Sequence, residues 1–297
     1  MAHQHHPGDQ AQHRRALVLT LYLTAGYCLV ELIGGLLTNS LALLSDAGHM
    51  FADVGALSIS LFAMRLAQRP PTTSKTFGYH RVEILAAFIN GLVLWLIVGL
   101  IAREAYERFS APPAVRSAGM IAIAAVGLLV NLAGLLILRH SRARSLNVRA
   151  AFVHVFGDAL GSIGAVLAGV IMLSTGWYVA DPLVSLLIAA LILFSSWGIV
   201  RESVDILMQG TPRGMRLEDI EACLLEIPDV REVHDLHVWT LTSGRYLLSV
   251  HLVACGNGNA RPIIDAAQNR LRERFGITHT TVQVDPEDAC TEEFRAH

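Results

Sequence analysis

The 297-residue chain is short of charge: Asp, Glu, Lys and Arg make up 16% of it, against about 25% in an ordinary soluble domain. It has four cysteines, Cys28, Cys223, Cys255 and Cys290, and no two form a C-x-x-C pair. That excludes a disulfide frame and a thiolate zinc knuckle, and leaves the cysteines as small buried hydrophobes. No H-E-x-x-H occurs, so the zinc-peptidase signature is missing. The net charge of −2 excludes a basic nucleic-acid-binding domain, and the scarcity of charge excludes a disordered chain. What remains is apolar: 53% of residues are hydrophobic, and the mean hydropathy is +0.47. Neither fits a soluble enzyme. Length alone allows one or two domains.

A spanning helix needs about 20 mostly apolar residues, and six segments qualify. Ala16 to Leu37 is apolar except for Glu31. Leu41 to Met64 is broken only by Asp46, His49 and Asp53. Ile84 to Ala102, Ala118 to Leu138 and Pro182 to Val200 carry no charge. Ala150 to Leu173 carries His154 and Asp158. The first run is too long for a signal peptide and follows a polar, His-rich stretch, so it is expected to stay as a span. Basic residues set the orientation. With the N-terminus inside, Arg14, Arg15, Arg65, Arg69, Lys75, Arg81, Arg139, Arg142, Arg144, Arg149 and Arg201 lie inside. Arg103, Arg108 and Arg116 lie outside. Both termini are predicted to be cytoplasmic. Arg142, Arg144 and Arg149 most simply set topology, with contact to anionic lipid as a second reading.

After Arg201 the texture turns charged and mixed. Leu217 to Glu226 reads as an amphipathic helix, and Val230 to Leu241 and Tyr246 to Val253 as strands joined at Thr242-Ser243-Gly244. Pro262 to Phe275 reads as a helix and Thr280 to Val284 as a last strand. The order α-β-β-α-β suits an α+β domain of about 80 residues, near the lower size for a lone core, so dimerisation would help it. The expected layout is a His-rich tail over 1–15, a transmembrane transport domain over 16–208 and a cytoplasmic α+β domain over 209–297.

Two spans carry the same pattern. His49-Met50-Phe51-Ala52-Asp53 and His154-Val155-Phe156-Gly157-Asp158 both read His-x-Phe-x-Asp. Residues four apart share a helix face, so each span can present an imidazole beside a carboxylate. Two such helices facing each other supply two nitrogens and two oxygens, a donor set for tetrahedral zinc. Two neutral imidazoles and two carboxylates sum to −2, which a divalent cation neutralises. Without it, each ionised aspartate near the bilayer centre costs about 2.5–3.5 kcal/mol. Binding metal requires deprotonated ligands and releases protons; a site that trades metal for protons is the minimal chemistry of a metal–proton antiporter. Asp46, one turn before His49, reads either as a ligand or as a residue supporting or admitting to the site. Glu31 reads as a hydrogen-bonding partner in the bundle or as a metal contact. Asn90 and Asn131 read as interhelical hydrogen-bonding residues, and Gly34, Gly35, Gly161 and Gly164 as sites of close helix packing.

The chain resembles the cation diffusion facilitator family of zinc transporters over nearly its whole length. The resemblance rests on Ser40-Leu41-Ala42-Leu43-Leu44-Ser45-Asp46-Ala47-Gly48-His49-Met50 with Asp53, on Phe77-Gly78-Tyr79-His80-Arg81-Val82-Glu83, on His154 with Asp158, and on Asp181-Pro182. In the tail it rests on Val233-His234-Asp235-Leu236-His237-Val238-Trp239 and on His279-Thr280-Thr281-Val282-Gln283-Val284-Asp285. It implies a six-span homodimer in the cell's inner membrane, with a metallochaperone-like, ferredoxin-like α+β domain in the cytoplasm. It also implies zinc efflux driven by inward proton flow through His49, Asp53, His154 and Asp158, with cobalt, cadmium, nickel or iron as alternative cargo. Members with Asp at the first position tend to accept cadmium, and His49 points to zinc. Where some members have a loop His after Phe-Gly, this chain has Tyr79, so no loop site is predicted. In the tail the resemblance implies zinc on His234, His251 and Asp285, with His279 as a fourth candidate. Gln283 stands where some relatives have another His. Solvated residues without metal are the alternative reading of the tail histidines. His3, His5, His6 and His13 read as a solvated tail or a loose metal holder. A membrane-anchored metal sensor, with spans serving only to hold the tail, is the remote rival.

Overall fold

The computed structural model describes residues 25–67, 69–138, 146–254 and 260–286, together with Tyr22. The N-terminal histidines, Arg14, Arg15, Arg139, Arg142, Arg144, Cys255 and Cys290 lie outside the described residues. So does the Arg149 side chain.

Among the described residues, six helices run through the apolar part: α1 (Ala25–Thr38), α2 (Leu41–Ala67), α3 (Val82–Ser110), α4 (Ser117–Leu138), α5 (Leu146–Thr175) and α6 (Ala180–Leu207). Among the described residues, α3, α4, α6 and residues Phe152–Thr175 of α5 are long and apolar enough to cross a membrane. The other two expected spans are described only in part: α1 has 14 described helical residues, and the side chains of several residues of α2 lie outside the description. The chain divides into two compact units, 1–58 with 90–198 and 59–89 with 199–297.

In the first unit, small residues let helices approach closely, as lipid-embedded packing requires. Gly34 of α1 lies against Ile123 of α4, and Gly164 of α5 against Val184 of α6. At Gly127 the Tyr27 ring fills the space a Cβ would need. The Tyr27 hydroxyl lies 2.8 Å from the Ile123 carbonyl, which clamps α1 to α4. Gly127→Ala is therefore expected to destabilise the bundle by about 1–3 kcal/mol through overpacking, read as a lower melting temperature of the purified protein. Asn131 of α4 donates to Ser162 of α5 at 3.3 Å, the interhelical bond its sequence position suggested. Trp95 of α3 stacks on Trp197 of α6, with ring centroids 5.4 Å apart, and donates to Ser196 at 3.2 Å.

The start of α2 is held by a residue from far along the chain. A helix leaves its first amides without internal partners. Here the buried Asp181 of α6 accepts from the Leu41 and Ala42 amides at 2.7 and 3.1 Å, and from the Ser40 hydroxyl at 2.7 Å. Arg108 of α3 stands 3.6 Å from the same carboxylate and donates to the Asn39 carbonyl at 2.8 Å. Asn39 sits at φ +58, a conformation Asn tolerates better than most residues, and this turns the chain from α1 into α2.

In the second unit, α7 (Leu217–Leu225), β1 (Val230–Thr242), β2 (Arg245–Ala254), α8 (Ala260–Phe275) and β3 (His279–Pro286) follow the expected α-β-β-α-β order. β1 and β2 form an antiparallel hairpin, and β3 returns through α8 to pair parallel with β2, giving the order β1-β2-β3. Gly244 at φ +71 makes the hairpin turn. Ile220 and Leu224 of α7 and Ile263, Ala267 and Leu271 of α8 bury Val238, Leu248, Val250 and Leu252 on one face of the sheet. Strand side chains alternate, so His251 points to the opposite face, and its register partner His234 lies beside it there. The loop before α3 and the first turn of that helix lie against the hairpin: Glu83 accepts from Thr242 at 2.5 Å and Ser243 at 3.0 Å, and Arg245 donates to His80 at 2.8 Å.

Candidate metal centres

The i,i+4 spacing works as the sequence suggested, and α2 and α5 bring their two pairs together. His49 Nε2 lies 3.4 Å from Asp53 Oδ2 and 3.8 Å from Asp158 Oδ1. His154 Nε2 lies 3.2 Å from Asp53 Oδ2 and 3.7 Å from Asp158 Oδ2. The imidazole centroids are 5.5 Å apart and inclined at 64°. Zinc bonded tetrahedrally to nitrogen and oxygen at about 2.0–2.1 Å sets its donors roughly 3.3–3.4 Å apart. The four contacts bracket that edge length. His49 Nδ1, Asp53 Oδ2 and Asp158 Oδ2 are buried without a hydrogen-bond partner. Buried polar atoms are rarely left so unless something else is to meet them; a divalent cation meets two of these directly.

Glu31 and Asp46 are both buried. Glu31 Oε1 lies 2.9 Å from the Tyr27 hydroxyl, which favours the hydrogen-bonding reading of this residue. Asp46 points at Gly161 of α5, where a Cβ would stand in ordinary contact, 3.6 Å from Oδ1.

The second cluster lies on the open face of the sheet. Antiparallel register sets His234 opposite His251, and their ring centroids are 5.2 Å apart. Asp285 of β3 reaches both, at 3.6 Å from His234 Nε2 and 3.2 Å from His251 Nδ1. His234 Nδ1 is buried and unpartnered. Two nitrogens and an oxygen at these separations suit zinc, so the residues present fit a resident ion. His279 is not brought to this cluster. It shares a strand face with Asp285, six residues on, which puts them roughly 20 Å apart along an extended strand. Its register partner is Leu247, and its ring meets Phe77 edge-on at 5.9 Å. Gln283 faces His251 in the ladder and donates to Asp285 at 2.8 Å.

Asp235 is the residue that the sequence concealed. It lies at φ +49 inside β1, where the ladder slips between His234 and His237. Its Oδ1 is 2.8 Å from His237 Nε2 and its Oδ2 is 3.7 Å from His251 Nε2. The hydrogen bond from His237 holds the Asp235 carboxyl below the usual aspartate range. Alternation along the sequence gives no sign of this, because the slip reverses it.

Apolar helices carrying a cluster of two imidazoles and two carboxylates, joined in one chain to a small sheet domain with its own donor cluster, define a membrane protein that handles divalent metal. The comparisons agree. Residues 17–208 match the cation efflux transmembrane domain, and residues 212–287 match the cytoplasmic domain of cation efflux proteins. The chain belongs to the cation efflux family of integral membrane transporters, and its function is divalent metal cation efflux. It is 42% identical to the cadmium, cobalt and zinc/H(+)-K(+) antiporter of Bacillus subtilis, over 97% of this chain and 93% of that one. It is 40% identical to the zinc transporter ZitB of Escherichia coli, over 96% and 93%. The solved metal-bound C-terminal domain of the CzcD transporter from Cupriavidus metallidurans matches 24% of this chain and 99% of its own. The identity there is 36% and the TM-score 0.23.

Proposed function

We propose that the chain exports zinc from the cytoplasm in exchange for protons, by alternating access around His49, Asp53, His154 and Asp158. The observation that carries the reading is the set of donor–donor contacts of 3.2–3.8 Å within and between α2 and α5, two of which cross from one helix to the other. Their nitrogen and oxygen donors suit zinc. Relatives named as a zinc transporter and as a zinc/H(+) antiporter support both cargo and counter-ion. Zinc arriving from the cytoplasm displaces protons from the ligands, and protons arriving from the far side displace zinc. One zinc out for one proton in moves one net charge against an inside-negative potential, at about 2.3 kcal/mol per 100 mV.

In this reading six spans lie in the inner membrane with both termini in the cytoplasm. Residues 1–15 form a cytoplasmic tail, 16–208 the transport domain, and 209–297 a metallochaperone-like, ferredoxin-like domain through which two copies pair. Zinc on His234, His251 and Asp285 acts as a regulatory ion, shifting the transporter only by its differential affinity for the two states.

Inverted vesicles loaded with a zinc dye test this. With an acidic lumen, zinc uptake is expected to accelerate and the lumen to turn alkaline as zinc enters. Uptake indifferent to the pH gradient would remove protons from the mechanism. Cobalt, cadmium, nickel and iron added as competitors are expected to slow uptake less than unlabelled zinc does; a stronger competitor would identify another main cargo.

A further inference from the structure

The register slip in β1 has a chemical use. His234 and His237 are three residues apart, and in a regular strand they would point to opposite faces. In the ladder His234 pairs with His251 and His237 with Ser249, two residues apart on β2. The bulge therefore absorbs one residue and returns both histidines to the open face, while Val233, Leu236 and Val238 pack into the core. The conformation at the slip falls on Asp235, at φ +49. A left-handed residue is uncommon inside a strand, and bulges re-aim side chains beside functional sites.

The side chain so aimed stands between two imidazoles. His251 turns Nδ1 toward Asp285 and Nε2 toward Asp235. A neutral imidazole has one N–H and one lone pair. For Nδ1 to bind a cation, the proton must sit on Nε2. Metal-binding histidines regularly donate that other N–H to a carboxylate, which fixes tautomer and ring orientation. We propose that Asp235 is the positioning residue that holds His251 as a ligand for a divalent cation in the tail, with His237 steadying the carboxylate from its other oxygen. The inference rests on the reading of His234, His251 and Asp285 as a zinc site. The 3.7 Å between Asp235 and His251 exceeds a hydrogen bond. The Asp235 side chain is one-third exposed and has room to close the distance when the ring is fixed by metal.

The test uses full-length protein carrying Asp53→Ala and Asp158→Ala, so that zinc binding reads the tail. Affinity is measured by competition with a fluorescent chelator. Asp235→Asn keeps a residue tolerant of the left-handed backbone, and Asp235→Gly relaxes that backbone altogether. Both are expected to weaken zinc binding by about 10- to 100-fold, with the metal-free melting temperature unchanged in the first and unchanged or raised in the second. The visible absorption of bound cobalt should shift in both. If Asp235→Asn and Asp235→Gly bind zinc as tightly as the parent, the positioning role is wrong. Asp285→Ala separates the two claims. If it abolishes tail zinc while the Asp235 variants do not weaken it, the positioning role fails alone. If Asp285→Ala leaves zinc bound, the tail site falls and this inference with it.

Discussion

Asp158→Ala is expected to stop zinc uptake into inverted vesicles while leaving a folded, membrane-inserted protein with its tail zinc intact. Asp158 is buried on α5 and offers one carboxylate oxygen toward each imidazole. Its removal leaves three donors and a site charge of −1, which no longer balances a divalent ion. Losing a carboxylate that only supports a ligand costs about 10- to 100-fold in metal affinity, so losing a ligand should cost more, roughly a thousandfold in flux. The fold should tolerate the change, because Asp158 Oδ2 has no hydrogen-bond partner to orphan. Uptake assays on wild type and variant, with size-exclusion profiles as the control for folding, decide the matter. A variant that still responds to zinc as wild type does would favour the sensor, in which the spans merely anchor the tail.

Asp181→Ala should have the opposite signature, with loss of folded protein before any question of transport. The carboxylate satisfies two amides and a hydroxyl at the start of α2 and stands beside the Arg108 guanidinium. Taking it away strands those donors where water does not readily reach, and leaves the buried Arg108 with Glu104 as its remaining acidic partner. Breaking such a pair by removing one partner costs about 3–5 kcal/mol, a large share of the stability of an ordinary domain. The expected result is poor accumulation in the membrane and a melting temperature lowered by on the order of 10 °C. Asp181→Asn keeps an acceptor and should recover part of the loss. An alanine variant that melts with wild type would mean that the helix start finds other partners.

What could be read in advance follows from periodicity. His49 with Asp53, and His154 with Asp158, are visible as pairs because a helix repeats on nearly four residues, and the duplicated pattern says that the two helices meet. The tail was less legible. The family resemblance offered His279 as a fourth tail ligand, but six residues of β3 separate it from Asp285. Asp235 was hidden because a bulge overturns the alternation on which strand reading depends. The role of Asp181 was equally opaque: Asp-Pro at a helix start is legible as punctuation, but its bonds to Leu41 and Ala42, 140 and 139 residues earlier, depend on tertiary contact.

That long reach from Asp181 bears on how the protein is made. The ribosome delivers α2 well before α6, and across 140 residues at about 5–20 residues per second the helix waits roughly 7–28 seconds for the carboxylate that completes its first turn. During that interval the nascent segment, already burdened with Asp46 and Asp53, must be sheltered by the insertion machinery or by the spans beside it. Biogenesis of the transport domain is thus closed by its last span, and chains truncated before α6 should be targets for membrane proteases.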